Sequence, residues 1–209
     1  MPISIDYNPC QGIVAFENAY LTYMPTAPLS NWLQSFWQLN VPEGQYSYRS
    51  VPDNCIDLII DLGAPEDAFI VTPFSASIVF ELSGPASYFG IRFRPLGYQG
   101  IITSPIGTWG GSDNIVDPSE ILPAPFLREL LDEAQREMSF QDRCEAFSKI
   151  LLNTMGHFDI DARLMRYVQY CHQNIASSVN LSDKQCSEFG VSARQLRRLT
   201  SQYLGLTPK

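Results

Sequence analysis

The sequence predicts an α+β protein: an N-terminal antiparallel β sandwich or barrel, then helices, then an all-α helix-turn-helix at the C-terminal end. Three observations predict it. Apolar residues recur with period two up to about residue 115 and with helical period from Asp117 onward. Pro and Gly punctuate the first part at "VPEG", "VPDN" and "SGP". The last stretch, "EFGVSARQLRRLTSQYLGLTPK", sets a glycine, a serine and three arginines along an amphipathic pattern.

The strands come first. In "CIDLIIDL", Ile56, Leu58, Ile60 and Leu62 fall on one face. In "SYFGIRF", Phe89, Ile91 and Phe93 share one face, and Tyr88, Arg92 and Arg94 share the other. "NWLQSFWQLN" and "SIVFELS" read as further strands. The helices follow. "PAPFLRELLDEAQREM" carries Leu127, Leu130, Leu131, Ala134 and Met138 at helical spacing behind a proline start. "FQDRCEAFSKILLNTM" repeats the pattern with Phe140, Cys144, Phe147, Leu151 and Met155. "IDARLMRYVQYCHQNI" aligns Leu164, Val168, Cys171 and Ile175 behind Asp161 as N-cap. These elements divide the chain into a β-rich domain (1–115), a helical linker or dimerisation segment (116–156) and a C-terminal helical domain (157–209), with the boundary at "GHFD", Gly156–Asp159.

Composition excludes several classes. With 209 residues, 45% hydrophobic and 17% charged, the chain can bury a core and is not a disordered acidic polymer. No apolar run approaches the ~20 residues that span a bilayer, and the start has no signal-peptide pattern. The five cysteines are odd in number and form no Cys-x-x-Cys pair, which suits reduced thiols in the cytoplasm. His157 and His172 are the only histidines, so the first half offers neither a His-rich metal site nor a histidine base for a nucleophile. No phosphate-binding glycine pattern appears. The chain is therefore expected to be no enzyme, to use no cofactor and no metal, and to have no membrane span.

The net charge of −8 is unevenly spread. Residues 1–156 hold 7 Lys+Arg against 18 Asp+Glu, and residues 157–209 hold 7 against 4. An acidic body joined to a basic tail suits a sensor or scaffold attached to a nucleic-acid reader.

The tail motif can be built residue by residue. Gly190 supplies a sharp turn. Ser192 can cap a new helix, and Gln195 completes a Ser-x-x-Gln capping box. Cys186 is small where two helices must approach, Val191 fills the turn, and Leu196 and Leu199 face the core. Arg194, Arg197, Arg198 and Ser201 then project outward, and an arginine fork fits guanine O6 and N7 or a phosphate. That is the spacing of a helix-turn-helix whose partner is double-stranded DNA.

With these residues in place the C-terminal stretch, through "S-x-R-Q-L-x-R" and "G-L-T-P-K", resembles the first helix-turn-helix of AraC-type (AraC/XylS) transcriptional regulators. "PLSNWLQSFWQL", "VPDNCIDLII" and "YFGIRFRPLGYQGI" resemble the sensor region of one subgroup of that family, without metal. The resemblance implies a sequence-specific DNA-binding transcription regulator with an N-terminal domain for effector sensing or dimerisation. Lys184 and Gln185 would then reach backbone phosphates. Thr200 departs from the family, which usually has Phe there, and should weaken the packing of the last helix. The family carries a second helix-turn-helix after a linking helix, so the resemblance implies that residues 157–209 are an incomplete DNA-binding domain. The alternative is a ligand-binding or dimerisation module that does not bind DNA by itself.

Two readings of the first-half arginines stand. Arg92 and Arg94, beside Tyr88 and Trp37, could line an effector pocket and suit an acidic small molecule; or they could be surface arginines paired with Asp57 or Asp61. The apolar stripes of residues 125–155 likewise could form a homodimer interface or pack against their own β domain.

Overall fold

Alternating apolar residues build the N-terminal half strand by strand. The computed structural model describes residues 19–102, 104–109, 114–156, 160–174 and 182–208. Strands β1 (Tyr20–Tyr23), β2 (Leu33–Ser50), β3 (Ile56–Asp61), β4 (Phe69–Val71), β5 (Ile78–Phe93) and β6 (Ile115–Val116) form one antiparallel sheet in the order β1-β2-β5-β3-β4-β6. With β1 and β6 at its two ends, the described residues form neither a second facing sheet nor a closed barrel.

The length of β2 and β5 takes the place of a second sheet. They pair from Leu33↔Phe93 out to Ser50↔Ile78, so "NWLQSFWQLN" and "SIVFELS" are parts of much longer strands. "VPEG" and "SGP" are not turns. They face each other across a register shift between Val41 and Gly44, opposite Gly84 and Ala86. The extra residues Pro42 and Glu43 stand outside the pairing, where a proline loses no ladder hydrogen bond. Gly84 permits the crowding: a Cβ there would lie 1.7 Å from the Pro42 carbonyl oxygen. A bulge bends a strand pair. Past it Tyr48 and Phe80 come to line the same hollow as Trp37 and Tyr88.

Period two sorts the two faces of the sheet as the sequence predicts. One face presents Phe36, Ile56, Leu58, Ile60, Phe89, Ile91 and Phe93, all buried in the main core. Helices α1 (Ala124–Ala134) and α2 (Phe140–Thr154) cover it. Phe147 meets Phe89 with ring centroids 4.8 Å apart. Leu130, Cys144, Phe147 and Leu151 are wholly buried. The stripe that could have served a homodimer is thus occupied within the chain. Arg143 ties the two helices together: its guanidinium donates to the Ala134 and Arg136 carbonyls at the end of α1 and lies over the Phe89 ring. The other face carries Trp37, Leu39, Ile59 and Tyr88.

A second, smaller core gathers the C-terminal helices α3 (Ala162–Gln173), α4 (Asp183–Glu188) and α5 (Ala193–Leu204). Leu164, Tyr167, Cys186, Phe189, Leu196 and Leu199 are buried together, and Leu96 joins them from the segment after β5. Between α4 and α5 the chain turns at Gly190 with φ +79°, and Val191 is buried in the turn. Both helices start with a full capping box, Ser182 with Gln185 and Ser192 with Gln195. Of the expected boundary, His157, Phe158 and Asp159 lie outside the described residues, as does Ile175.

The helices also dock on the first half. Tyr98 donates from its hydroxyl to the Tyr203 carbonyl. The turn Ile106–Thr108 packs on α5 so closely that a Cβ on Gly107 would lie 2.5 Å from the Ser201 carbonyl oxygen. Thr200 is buried, and its hydroxyl is satisfied by the carbonyls of Leu196 and Arg197.

Two predictions follow from this packing. Gly107→Ala should destabilise the docking by about 1–3 kcal/mol, since the obstacle is helix backbone and not a flexible side chain. Hydrogen exchange should speed up in α5 and stay unchanged in β5. The second concerns Asp161, which caps α3 and binds Arg163. Hydrogen bonding from Arg163 holds its carboxyl down at about 2. The folded state therefore favours the anion, so the contribution is complete above about pH 4 and fades as pH falls toward 2. The pair is largely solvated, so the effect is about 1 kcal/mol or less. The stability gap between wild type and Asp161→Asn, measured by urea at pH 5 and pH 2, should shrink.

Candidate functional site

Two sites emerge, one on each half. The first is a cavity of about 260 Å³ on the sheet face that the helices leave uncovered. Arg92 forms its charged centre. The residue is nine-tenths buried and lies opposite Asp57 in the β3–β5 register. Its guanidinium pairs with Asp53, from the loop before β3, and lies 3.7 Å from Asp57. Asp53 also accepts from the Cys55 backbone N–H, which fixes the loop. Asp57 in turn accepts from the Trp37 indole N–H at 2.8 Å. Beside it Asn54 takes a left-handed conformation, φ +62°, which asparagine tolerates better than most residues.

Burial governs the electrostatics. Desolvation pushes Asp57 above the usual carboxylate range, while Arg92 and the Trp37 indole pull it back only in part. Desolvation alone would lower Arg92, but Asp57 and Asp53 outweigh it and hold the guanidinium firmly charged. Burial pushes the Cys55 thiol up to about 12, so this cysteine is a protonated wall group and not a thiolate. The Tyr20 and Tyr48 phenols are raised for the same reason.

The floor of the cavity depends on a glycine. Trp37 pairs with Gly90 across β2 and β5, and its indole lies flat over that position. A Cβ on Gly90 would stand 1.9 Å from the indole Cε2. Tyr20 stacks on Trp37 with centroids 5.7 Å apart.

Three of the four predicted effector residues, Trp37, Tyr88 and Arg92, line this cavity. Arg94 does not. Its Nε donates to the Ser30 and Leu33 carbonyls, because β5 has ended and the side chain holds the neighbouring loop instead. The pairing with Asp57 was legible as one of two readings. The pairing with Asp53 was not, because no periodicity connects a loop residue to a strand 39 positions away. The expectation of an acidic effector is weakened by the same fact: the one arginine in the cavity already faces two carboxylates.

The second site is the outer face of α5. Arg194, Arg197, Arg198 and Ser201 are all exposed, opposite buried Leu196 and Leu199. None of the three arginines makes an ion pair with another described residue. Lys184 is exposed on α4. Gln185 is otherwise engaged: its carbonyl closes the α4 capping box and its amide donates to the Tyr170 hydroxyl. Between the two sites lies a further hollow of about 490 Å³, walled by Asp53 and Phe74 on one side and by Tyr167, Thr200 and Leu204 on the other. Asp53 and Phe74 line both hollows.

Residues 21–114 match the sequence model of DUF6597, a domain of unknown function that is found in AraC-like regulators. The match covers the sheet from β1 to just before β6 and includes every named cavity residue but Tyr20. No curated protein and no solved structure matches the chain. Among the described residues no helix is long and apolar enough to cross a membrane, and no group of His, Cys, Asp and Glu is placed to hold a metal ion.

Arg92→Leu should cost about 3–5 kcal/mol, because it removes the guanidinium that the buried Asp53 and Asp57 carboxylates both face. Urea denaturation should report a loss far larger than for Arg197→Ala on the solvated face. Gly90→Ala should displace Trp37 and break its bond to Asp57. A changed tryptophan emission and a drop of about 1–3 kcal/mol are the expected readings.

Proposed function

We propose that this protein is a DNA-binding transcription regulator of AraC type whose N-terminal half senses a small molecule. The observation that carries the reading is the face of α5. Three arginines and a serine stand exposed on one side of a capped helix, and none of the arginines makes an ion pair with another described residue. In this reading α4, the Gly190 turn and α5 are a helix-turn-helix, and α5 enters the major groove of double-stranded DNA. The arginine forks meet guanine edges or phosphates, and Lys184 meets a phosphate. Gln185 serves the helix cap and contributes little to DNA contact.

The cavity supports the sensing half of the proposal. Asp53 is held by Arg92 on one side and borders the hollow against α3 and α5 on the other. A ligand that competes for Arg92 or Asp57 would change the hold on Asp53, and so the surface against which Tyr167 and Thr200 stand. The alternative, a ligand-binding module that does not bind DNA by itself, is favoured only by the acidic charge of residues 1–156.

Fluorescence anisotropy against a labelled duplex, at several salt concentrations, tests the reading. Wild type should bind with a clear salt slope. Arg194/Arg197/Arg198→Ala should lose affinity, and its slope should fall by about 0.9 for each phosphate contact removed. Absence of binding by both at low salt would sink the DNA reading and leave the ligand-binding module.

A further inference from the structure

The cavity on the sheet has more to say about its occupant than that it is small. Its walls bring together Trp37, Tyr20, Tyr48, Phe80 and Tyr88, an aromatic enclosure drawn from β1, β2 and β5. Among the described residues its inward-facing charges are Asp53 and Asp57 against Arg92; Glu81 borders it from the outer face of the ribbon, where its carboxylate accepts from the Ser47 hydroxyl. Asp53 and Asp57 both sit on the guanidinium, so the cavity has an acidic excess even with Arg92 charged. An anion entering here would meet carboxylates already in possession of the Arg92 guanidinium. A cation would meet aromatic faces, which attract positive charge through the ring quadrupole, and carboxylates that share one counter-charge between them. A second observation is independent of this charge count. Arg92 Nε is buried and has no hydrogen-bond acceptor among the described residues. A buried donor without a partner is costly, and a neutral oxygen on a ligand could satisfy it.

We infer that the cavity binds an organic cation: an ammonium head carried on an aromatic or other apolar body, with a neutral oxygen as hydrogen-bond acceptor. The ammonium lies against Asp57, and the body packs among Trp37, Tyr48 and Tyr88. This rests on the sensing half of the proposed function and names its ligand class, which is opposite in charge to the acidic effector that two strand arginines suggest.

Three probes of one shape test it: 2-phenoxyethylamine, 2-phenoxyethanol and phenoxyacetate, which are cationic, neutral and anionic at pH 7. Each is titrated into the full chain, with binding followed by calorimetry and by tryptophan emission. The amine should bind about tenfold or more tightly than either of the others. Asp57→Asn keeps an oxygen for the Trp37 indole and should erase most of that preference while leaving phenoxyethanol unchanged. Tyr48→Leu removes an aromatic face and leaves the ion cluster in place, so it should narrow the amine's advantage over phenoxyethanol severalfold, and it serves if Asp57→Asn does not fold. Tightest binding by phenoxyacetate, equal binding by all three, or no binding by the amine at millimolar concentration would each overturn the inference. The titration contains no DNA, so failure of the arginine face to bind a duplex leaves its result intact, and failure of the amine leaves the arginine face untouched.

Discussion

The buried cluster of Arg92 with Asp53 and Asp57 is the interaction on which the arrangement turns. Arg92 stands on the central strand, Asp57 on the strand beside it and Asp53 in a loop that enters that strand. Removing charges from water costs several kcal/mol per ion, and mutual attraction repays this only when every partner is present. The cluster therefore holds the loop 51–55 in one place. The same cluster borders both the cavity on the sheet and the hollow against α3 and α5. A charge group needed to keep the loop still is also the group a ligand would have to address.

Packing explains why only one face of the sheet is available for such a site. α1 and α2 seal the other face with aromatic and aliphatic contacts around Phe89 and Phe147. The uncovered face would expose Trp37, Leu39 and Tyr88 to water were it not for the bulge at Pro42–Glu43, past which the long β2–β5 ribbon supplies Tyr48 and Phe80 to the same hollow. Polar groups set into this enclosure feel a lower dielectric, which raises the phenols and the Asp57 carboxyl together.

At the other end the basic face of α5 stays open because its apolar side is used twice. Leu196 and Leu199 pack on the small C-terminal core, and the backbone near Ser201 and Tyr203 meets Gly107 and Tyr98 of the first half. Docking on the first half gives the last helix a support that the amphipathic pattern alone does not supply. It also puts Tyr98 and Gly107 in contact with the helix proposed to read DNA.

Much of this was written in local patterns. Period two assigned Phe89, Ile91 and Phe93 to one face and Tyr88 and Arg92 to the other, because side chains alternate whatever the strand pairs with. Ser192 and Gln195 announced the start of α5, because a capping box closes within four residues. The tertiary structure alone decided what depends on distant partners. It made "VPEG" and "SGP" a bulge within one strand pair and not punctuation between strands, since their mutual pairing leaves Pro42 out of the ladder. It sent Arg94 to loop carbonyls and Arg92 to Asp53, since register and chain path, not spacing, bring a guanidinium to a carboxylate. It covered the apolar stripes of α1 and α2 with their own sheet, because an amphipathic helix states that it needs an apolar neighbour but not which one.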